Sequence, residues 1–392
     1  MRKITLGVAL LCVSMLVGCG NQPDGSITPS VEESTASSSS IMEQEDNPDN
    51  SVSTSEESAK EEAKEPESAE EVRREEVVVT AKREDIKREL MESMQQLLQP
   101  RVMDISSAGL ESPEMDVKNI YYEITAEYPE LKYAYDLTIM VQGTELSCQL
   151  HYMPYKTGAF PEDFSGEKIT SMKELLTVAE NHVGETLVPI RITNAGLEPD
   201  AMNRSLQQVG GGYILCMLNV DATALQYSVP QGMTIEDCVA ALDLADDLAE
   251  EVISRVITAD MSQREQAEAI YSYLTQSVTY DQRYYSDRRN MPYESQTAIG
   301  ALRDHTAICG GYANALKLLY EKAGIPCYNI SGRYFGEHHM WNLAMLDGEW
   351  LWFDATSDRG NSSEYRFLRF ALTELDETKY QYAEQDIQQL LD

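Results

Sequence analysis

The sequence predicts an α+β protein behind a long polar leader. Two observations carry this reading. Apolar residues recur at helical spacing in several separated stretches. Between them, apolar and polar residues alternate around turn signals at Gly143 and Asp347-Gly348, where antiparallel strands would reverse. Composition agrees: 392 residues, 42% hydrophobic and 25% charged, an ordinary globular mixture. At roughly 150 residues per domain, two or three units are expected. With 31 Lys+Arg against 66 Asp+Glu, the net charge is -35. Duplex DNA needs a basic footprint, so no nucleic-acid partner is expected. Seven Cys are too sparse for a disulfide scaffold.

Residues 1–18 read as an export signal. Arg2 and Lys3 form a basic start, and Ile4 to Leu16 is an apolar stretch too short for a spanning helix. The string LVGC at 16–19 resembles a bacterial lipobox, which makes Cys19 the expected lipid attachment point. The plainer reading is a signal cleaved near Gly20 with Cys19 incidental. The lipid reading places the protein on a bacterial cell membrane, facing the extracytoplasmic side. Residues 19–78 are expected to be a disordered acidic Ser/Glu-rich linker. From Asp24 to Glu76 there are 17 acids and 4 bases, a net of -13, with too little apolar surface to offset ordering entropy. A marginal Glu-rich helix from Glu56 to Arg83 is the alternative.

Residues 79–230 read as an α+β domain of unknown role. Helices are expected over Glu84–Leu98, Val117–Tyr128 and Ile169–Val183. A hairpin is expected from Tyr133 to Met153, and strands over Leu187–Ile192 and Tyr213–Tyr227. His151 and His182 lack partners at metal-ligand spacing, which favours structural or surface roles.

Residues 231–392 carry the chemistry. Ile235–Ile257 reads as a helix. Ser262 caps the next, with Glu265 completing a capping box; its expected buried residues are Ala269, Ile270, Tyr273 and Leu274. Ser277 to Asp281 then leaves in extended form, and a Tyr/Arg/Asp-rich loop follows from Gln282 to Glu294. Tyr312, Ala315, Leu316, Leu319 and Ala323 mark one buried face of a further helix, ended by Gly324. Cys309 sits at its first turn, where free N–H groups and the helix dipole favour negative charge. Gly310 and Gly311 permit close approach of another backbone or of a substrate. By position alone, Cys309 is equally a nucleophile or a small buried hydrophobe.

The run HHMWNLAMLDGEWLWFDAT, residues 338–356, reads as a hairpin about Asp347-Gly348. Counting outward from a two-residue turn pairs Leu346 with Glu349, Trp341 with Asp354 and His339 with Thr356. His339, Trp341 and Asp354 then share a face, and His339 and Asp354 are diagonal neighbours. An acid on one imidazole nitrogen fixes the tautomer and leaves the other for a thiol. His338 points the opposite way, unless a bulge exchanges the two.

The order Cys309-Gly-Gly-Tyr-Ala, Gly324-Ile-Pro, His339-Met-Trp-Asn, Asp354-Ala-Thr resembles the core of the transglutaminase-like superfamily over roughly residues 235–370. Tyr280-Asp281 and Ala298-Ile-Gly-Ala-Leu fit the same pattern. The resemblance implies a papain-like arrangement, with the cysteine helix on an antiparallel sheet. It implies Cys309 as nucleophile, His339 as general base and acid, and Asp354 as orienting acid. His305-Thr-Ala-Ile before the cysteine departs from the Gly, or Lys and Gly, often found there. The implied chemistry is thiol attack on an amide or ester carbonyl, followed by hydrolysis or transamidation. The Cys309 N–H is an oxyanion donor candidate, with Trp341, Gly310 and Gly311 as oxyanion or substrate-lining candidates. Protein or peptide substrates are expected, cell-wall peptides among them. No cofactor is expected. No metal site is expected either, since no Asp-x-Asp-x-Asp-Gly loop occurs and Asp281, Asp287 and their arginines read as a solvated loop. Cys327 is expected in the core. The alternative is a catalytically silent surface binding protein that keeps the fold.

Overall fold

Short-range signals set the helix ends. The Ser262 hydroxyl accepts the Glu265 N–H at 3.3 Å, while the Glu265 carboxylate accepts the Ser262 N–H at 2.8 Å. Thr234 and Asp237 repeat this capping box one helix earlier. Gly324, at φ +74°, follows the end of the cysteine helix; only glycine takes that conformation without strain. The structure, a computed structural model, describes residues 81–360, 369–371 and 375–391. The signal, Cys19 and the acidic linker lie outside the described residues. Those described all belong to one compact unit, Ala69–Asp392.

The first part holds helices α1 (Arg83–Gln96) and α2 (Pro113–Glu127) and strands β1 (Met103–Asp104), β2 (Ala134–Gln142) and β3 (Glu145–Tyr152). The strands form an antiparallel sheet in the order β1-β3-β2. The second part holds β4 (Glu167–Ile169), α3 (Met172–Asn181), β5 (Leu187–Ile192), α4 (Pro199–Leu206), β6 (Leu215–Leu218) and β7 (Ala224–Ser228). Its sheet runs β4-β5-β7-β6, with β4 parallel to β5. The sequence reading has no counterpart for β1, β4 or α4.

The third part begins with α5 (Ile235–Val256), α6 (Gln263–Ser277), β8 (Thr279–Tyr280), α7 (Ala298–Leu302), β9 (Thr306–Ala307) and α8 (Cys309–Lys322). It continues through β10 (Cys327–Tyr334), β11 (Glu337–Leu346), β12 (Glu349–Phe353), β13 (Arg369–Ala371), β14 (Tyr380–Gln381) and α9 (Glu384–Leu391). The main sheet is antiparallel in the order β13-β12-β11-β10-β14.

Two burial expectations need correction. In α6 the buried residues are Ala267, Ile270, Tyr271, Leu274 and Thr275, while Ala269 and Tyr273 are only half-buried. The apolar residues permit either face, and packing on α8 selects the one with Tyr271, whose ring lies 6.2 Å from that of Phe353. In α8 every residue from Gly311 to Lys317 is buried, rather than one face, and Ala323 is half-buried. This helix is enclosed by α5, α6, α7 and the sheet. Its one buried cation, Lys317, is paired with Glu180 at 3.0 Å and Glu321 at 2.6 Å, as burial of a charge requires.

Candidate active site

Cys309 is the first residue of α8, and Ile308 before it is extended. The first N–H groups of a helix have no partner within it, so the sulfur stands beside free donors. β8 and β9 hold this end in place. They pair in parallel, Tyr280 against Ala307, and the Ile308 N–H donates to the Ser295 carbonyl at 2.8 Å. The neighbour that comes close to Gly311 is this chain's own backbone: an added Cβ would lie 2.5 Å from the Ser295 oxygen and 3.0 Å from that of Thr297. Gly310 is less confined, with the Gln296 oxygen at 3.3 Å from such a Cβ.

The β11–β12 ladder begins with Leu346 opposite Glu349 and ends with Asn342 opposite Phe353, the register counted from Asp347-Gly348. Pairing stops there, so Trp341 and Asp354 do not form a ladder pair. Asp354 leaves the strand and turns its carboxylate to the His339 ring, Nε2 to Oδ2 at 2.9 Å. With Nε2 engaged, Nδ1 is the ring nitrogen left for a thiol, and Cys309 lies near enough to this imidazole to interact with it. His338 is exposed on the other face.

Electrostatics follow from burial. Asp354 is 2% exposed. Burial disfavours its charge, but His339, Ser357 and Tyr380 outweigh that and hold its pKa below the usual 3.8. Burial likewise opposes charge on His339. The Asp354 carboxylate, with Cys309 adding to it, lifts the imidazole from 6.5 to about 10. The five described cysteines are all free thiols, four of them buried and Cys309 half-exposed. Burial pushes Cys148 and Cys216 up to about 12 and raises Cys327 as well, which leaves those thiols inert.

Trp341 lies deep behind the histidine. It is 1% exposed, and its Nε1 is shielded from solvent with no hydrogen-bond partner among the described residues. Its ring instead stacks 5.8 Å from that of His339 and forms the floor under the imidazole. Asp281 departs from expectation. It is a buried hub, 3% exposed, accepting from Arg283 at 2.8 and 3.0 Å and from the Ser295 hydroxyl at 2.6 Å. Those hydrogen bonds, Arg283 first, hold its carboxyl below the ordinary range. His305 occupies an exposed turn at φ +51°, where its carbonyl accepts the Thr279 N–H. Among the described residues no cluster of His, Cys, Asp and Glu is arranged to hold a metal. No helix there is long and apolar enough to cross a membrane.

Sequence reasoning missed Ser357 and Tyr380, which donate to Asp354 Oδ2 at 2.5 and 2.7 Å. No local motif marks them, because sheet pairing of β14 with β10 delivers Tyr380 from far along the chain. It also missed a buried amide ladder. Asn342 donates to Asn329 and Asn329 to Asn314, both at 2.8 Å.

Comparison with known proteins bears on the same segment. A family model described as the transglutaminase-like superfamily matches residues 250–355. A crystal structure of a TGase is 18% identical, with a TM-score of 0.28, over 48% of this chain and 55% of that one. The periplasmic domain of TgpA from Pseudomonas aeruginosa, bound to ethylmercury, is 17% identical with a TM-score of 0.23, over 38% of this chain and 66% of that one. The chain thus spans between half and two thirds of those structures' lengths. No curated relative matches. Cys309, His339 and Asp354 all fall inside the matched segment, and residues 250–355 are thus similar to the transglutaminase-like superfamily.

Proposed function

We propose that the protein is a thiol acyl-transfer enzyme acting on peptide or protein amides, with hydrolysis as its ordinary outcome. The observation that carries this is the His339–Asp354 hydrogen bond at 2.9 Å, with Cys309 at the head of its helix close enough to the same imidazole to interact with it. His339 holds the proton taken from the thiol as an imidazolium, so sulfur attacks the carbonyl carbon as the thiolate, and the Cys309 N–H faces the developing oxyanion. The imidazolium returns that proton to the leaving amine as the C–N bond breaks. Water then attacks the acyl-enzyme while His339 accepts its proton, and the acid and free thiol are released. An amine in place of water would give transamidation. The proposal includes a lipid on Cys19 that holds the enzyme on the outer face of a bacterial membrane, where cell-wall peptides are within reach.

An acylating activity probe tests the reading. Wild type is expected to label at Cys309 alone, His339→Ala to label at least about a hundredfold more slowly, and Cys309→Ala not at all. Equal labelling of wild type and His339→Ala would remove His339 from the chemistry, and label on Cys327 would remove Cys309.

A further inference from the structure

The β10–β11 hairpin turns at Phe335-Gly336, with Tyr334 paired to Glu337. Both turn residues have positive φ, +49° and +81°. The first position of such a turn suits Asn, Asp or Gly, and a bulky side chain is strained there. The far end of β11 makes the same turn with Asp347-Gly348, at +54° and +83°, the unstrained choice. Phe335 also stays 64% exposed, so burial does not offset the strain. A strained backbone that carries an exposed aromatic ring is a marker of function.

Its surroundings say which function. The Phe335 ring meets Tyr334 edge-on at 4.6 Å, and Tyr334 lies 5.2 Å from the His339 ring. From the other side, Tyr285 is 61% exposed and stacks on Tyr280 at 5.9 Å. Its hydroxyl donates to Glu337 Oε2 at 3.2 Å, beside the same turn. Both Tyr280 and Tyr285 are near enough to Cys309 to interact with its charge. Exposed aromatic rings thus flank the site from two separate elements, Tyr285 within reach of Cys309 and Phe335 linked through Tyr334 to the His339 ring.

We propose that Phe335, Tyr334 and Tyr285 form an apolar subsite that receives a large apolar or aromatic side chain on the acyl group being transferred. This rests on the thiol acyl-transfer reading and names its substrate class. Aromatic faces fixed at the rim would bury that side chain and hold the scissile carbonyl over sulfur.

The test uses the full chain with two esters that share a leaving group, p-nitrophenyl acetate and p-nitrophenyl 3-phenylpropionate. Wild type is expected to prefer the aromatic ester by roughly tenfold or more in kcat/KM. Phe335→Asn suits the turn, so its Tm should equal or exceed that of wild type while the preference collapses toward one, through KM for the aromatic ester. Phe335→Leu should keep part of it. No preference in wild type, or a preference undiminished in a folded Phe335→Asn, overturns the subsite alone, provided Cys309→Ala has lost turnover. Undiminished turnover of both esters by Cys309→Ala overturns the thiol reading and the subsite with it.

Discussion

Asp354 Oδ2 accepts from His339 Nε2, Ser357 Oγ and Tyr380 Oη, and Oδ1 accepts the Ser357 N–H at 3.1 Å. A carboxylate this buried stays ionised only when its lone pairs are so occupied. The charge it keeps is what raises His339, and this has a signature in stability. A histidine at 6.5 unfolded and about 10 folded binds more protons in the native state between those values. Its stabilisation is complete below about 6.5, declines as pH rises beyond that, and is lost once pH passes about 10. Denaturant midpoints from pH 6 to 10.5 should therefore fall with rising pH in wild type and be flatter in His339→Gln. Parallel curves would mean that the imidazole is not held as a cation.

At the element scale, the amide ladder sets how the cysteine helix sits on the histidine strand. Asn342 on β11 donates to the Ala313 carbonyl of α8 at 3.0 Å and to Asn329 on β10. Asn329 donates to Asn314 of α8, whose own amide donates to the Gln296 carbonyl at 3.0 Å. These side chains are all buried, so each hydrogen bond lost leaves a polar atom without water. Asn342→Ala should cost about 1–3 kcal/mol, seen as a lower denaturant midpoint at constant m-value. It should also slow probe labelling of Cys309, since sliding of α8 along β11 separates sulfur from imidazole. Unchanged labelling in the destabilised variant would show that the ladder supports the fold without setting the site.

For the whole molecule, the region before residue 230 backs the site. Gly212, at φ +88°, lets its backbone approach Gln296 and Asn314, and the Tyr293 hydroxyl donates to the Gly212 carbonyl at 2.6 Å. Gln208 Oε1 accepts the Asn329 N–H at 3.3 Å. Arg204 on α4 forks onto Asp386 on α9, at 2.5 and 2.8 Å, a bidentate geometry that suits guanidinium. Arg204→Ala leaves the buried Asp386 carboxylate without that partner. Hydrogen exchange over Glu384–Leu391 should accelerate in this variant, while the β11–β12 amides keep their protection. Equal exchange in both proteins would mean that apolar packing alone holds α9.

Local chemistry was legible in the sequence. Ser262 and Thr234 capped their helices because caps act over three residues, and Asp347-Gly348 set the β11–β12 register because a two-residue turn leaves one choice of partners. That register brought the stretches carrying His339 and Asp354 to the same end of the hairpin, and their contact is made where Asp354 leaves the strand. What no local pattern carries was decided in three dimensions: which face of α6 is buried, the enclosure of α8, the withdrawal of Trp341 from solvent, and the arrival of Tyr380 at Asp354. Capping and turn pairing are short-range, so they are written in neighbouring residues. Burial and the convergence of remote donors depend on which surfaces meet, and the packed chain alone settles that.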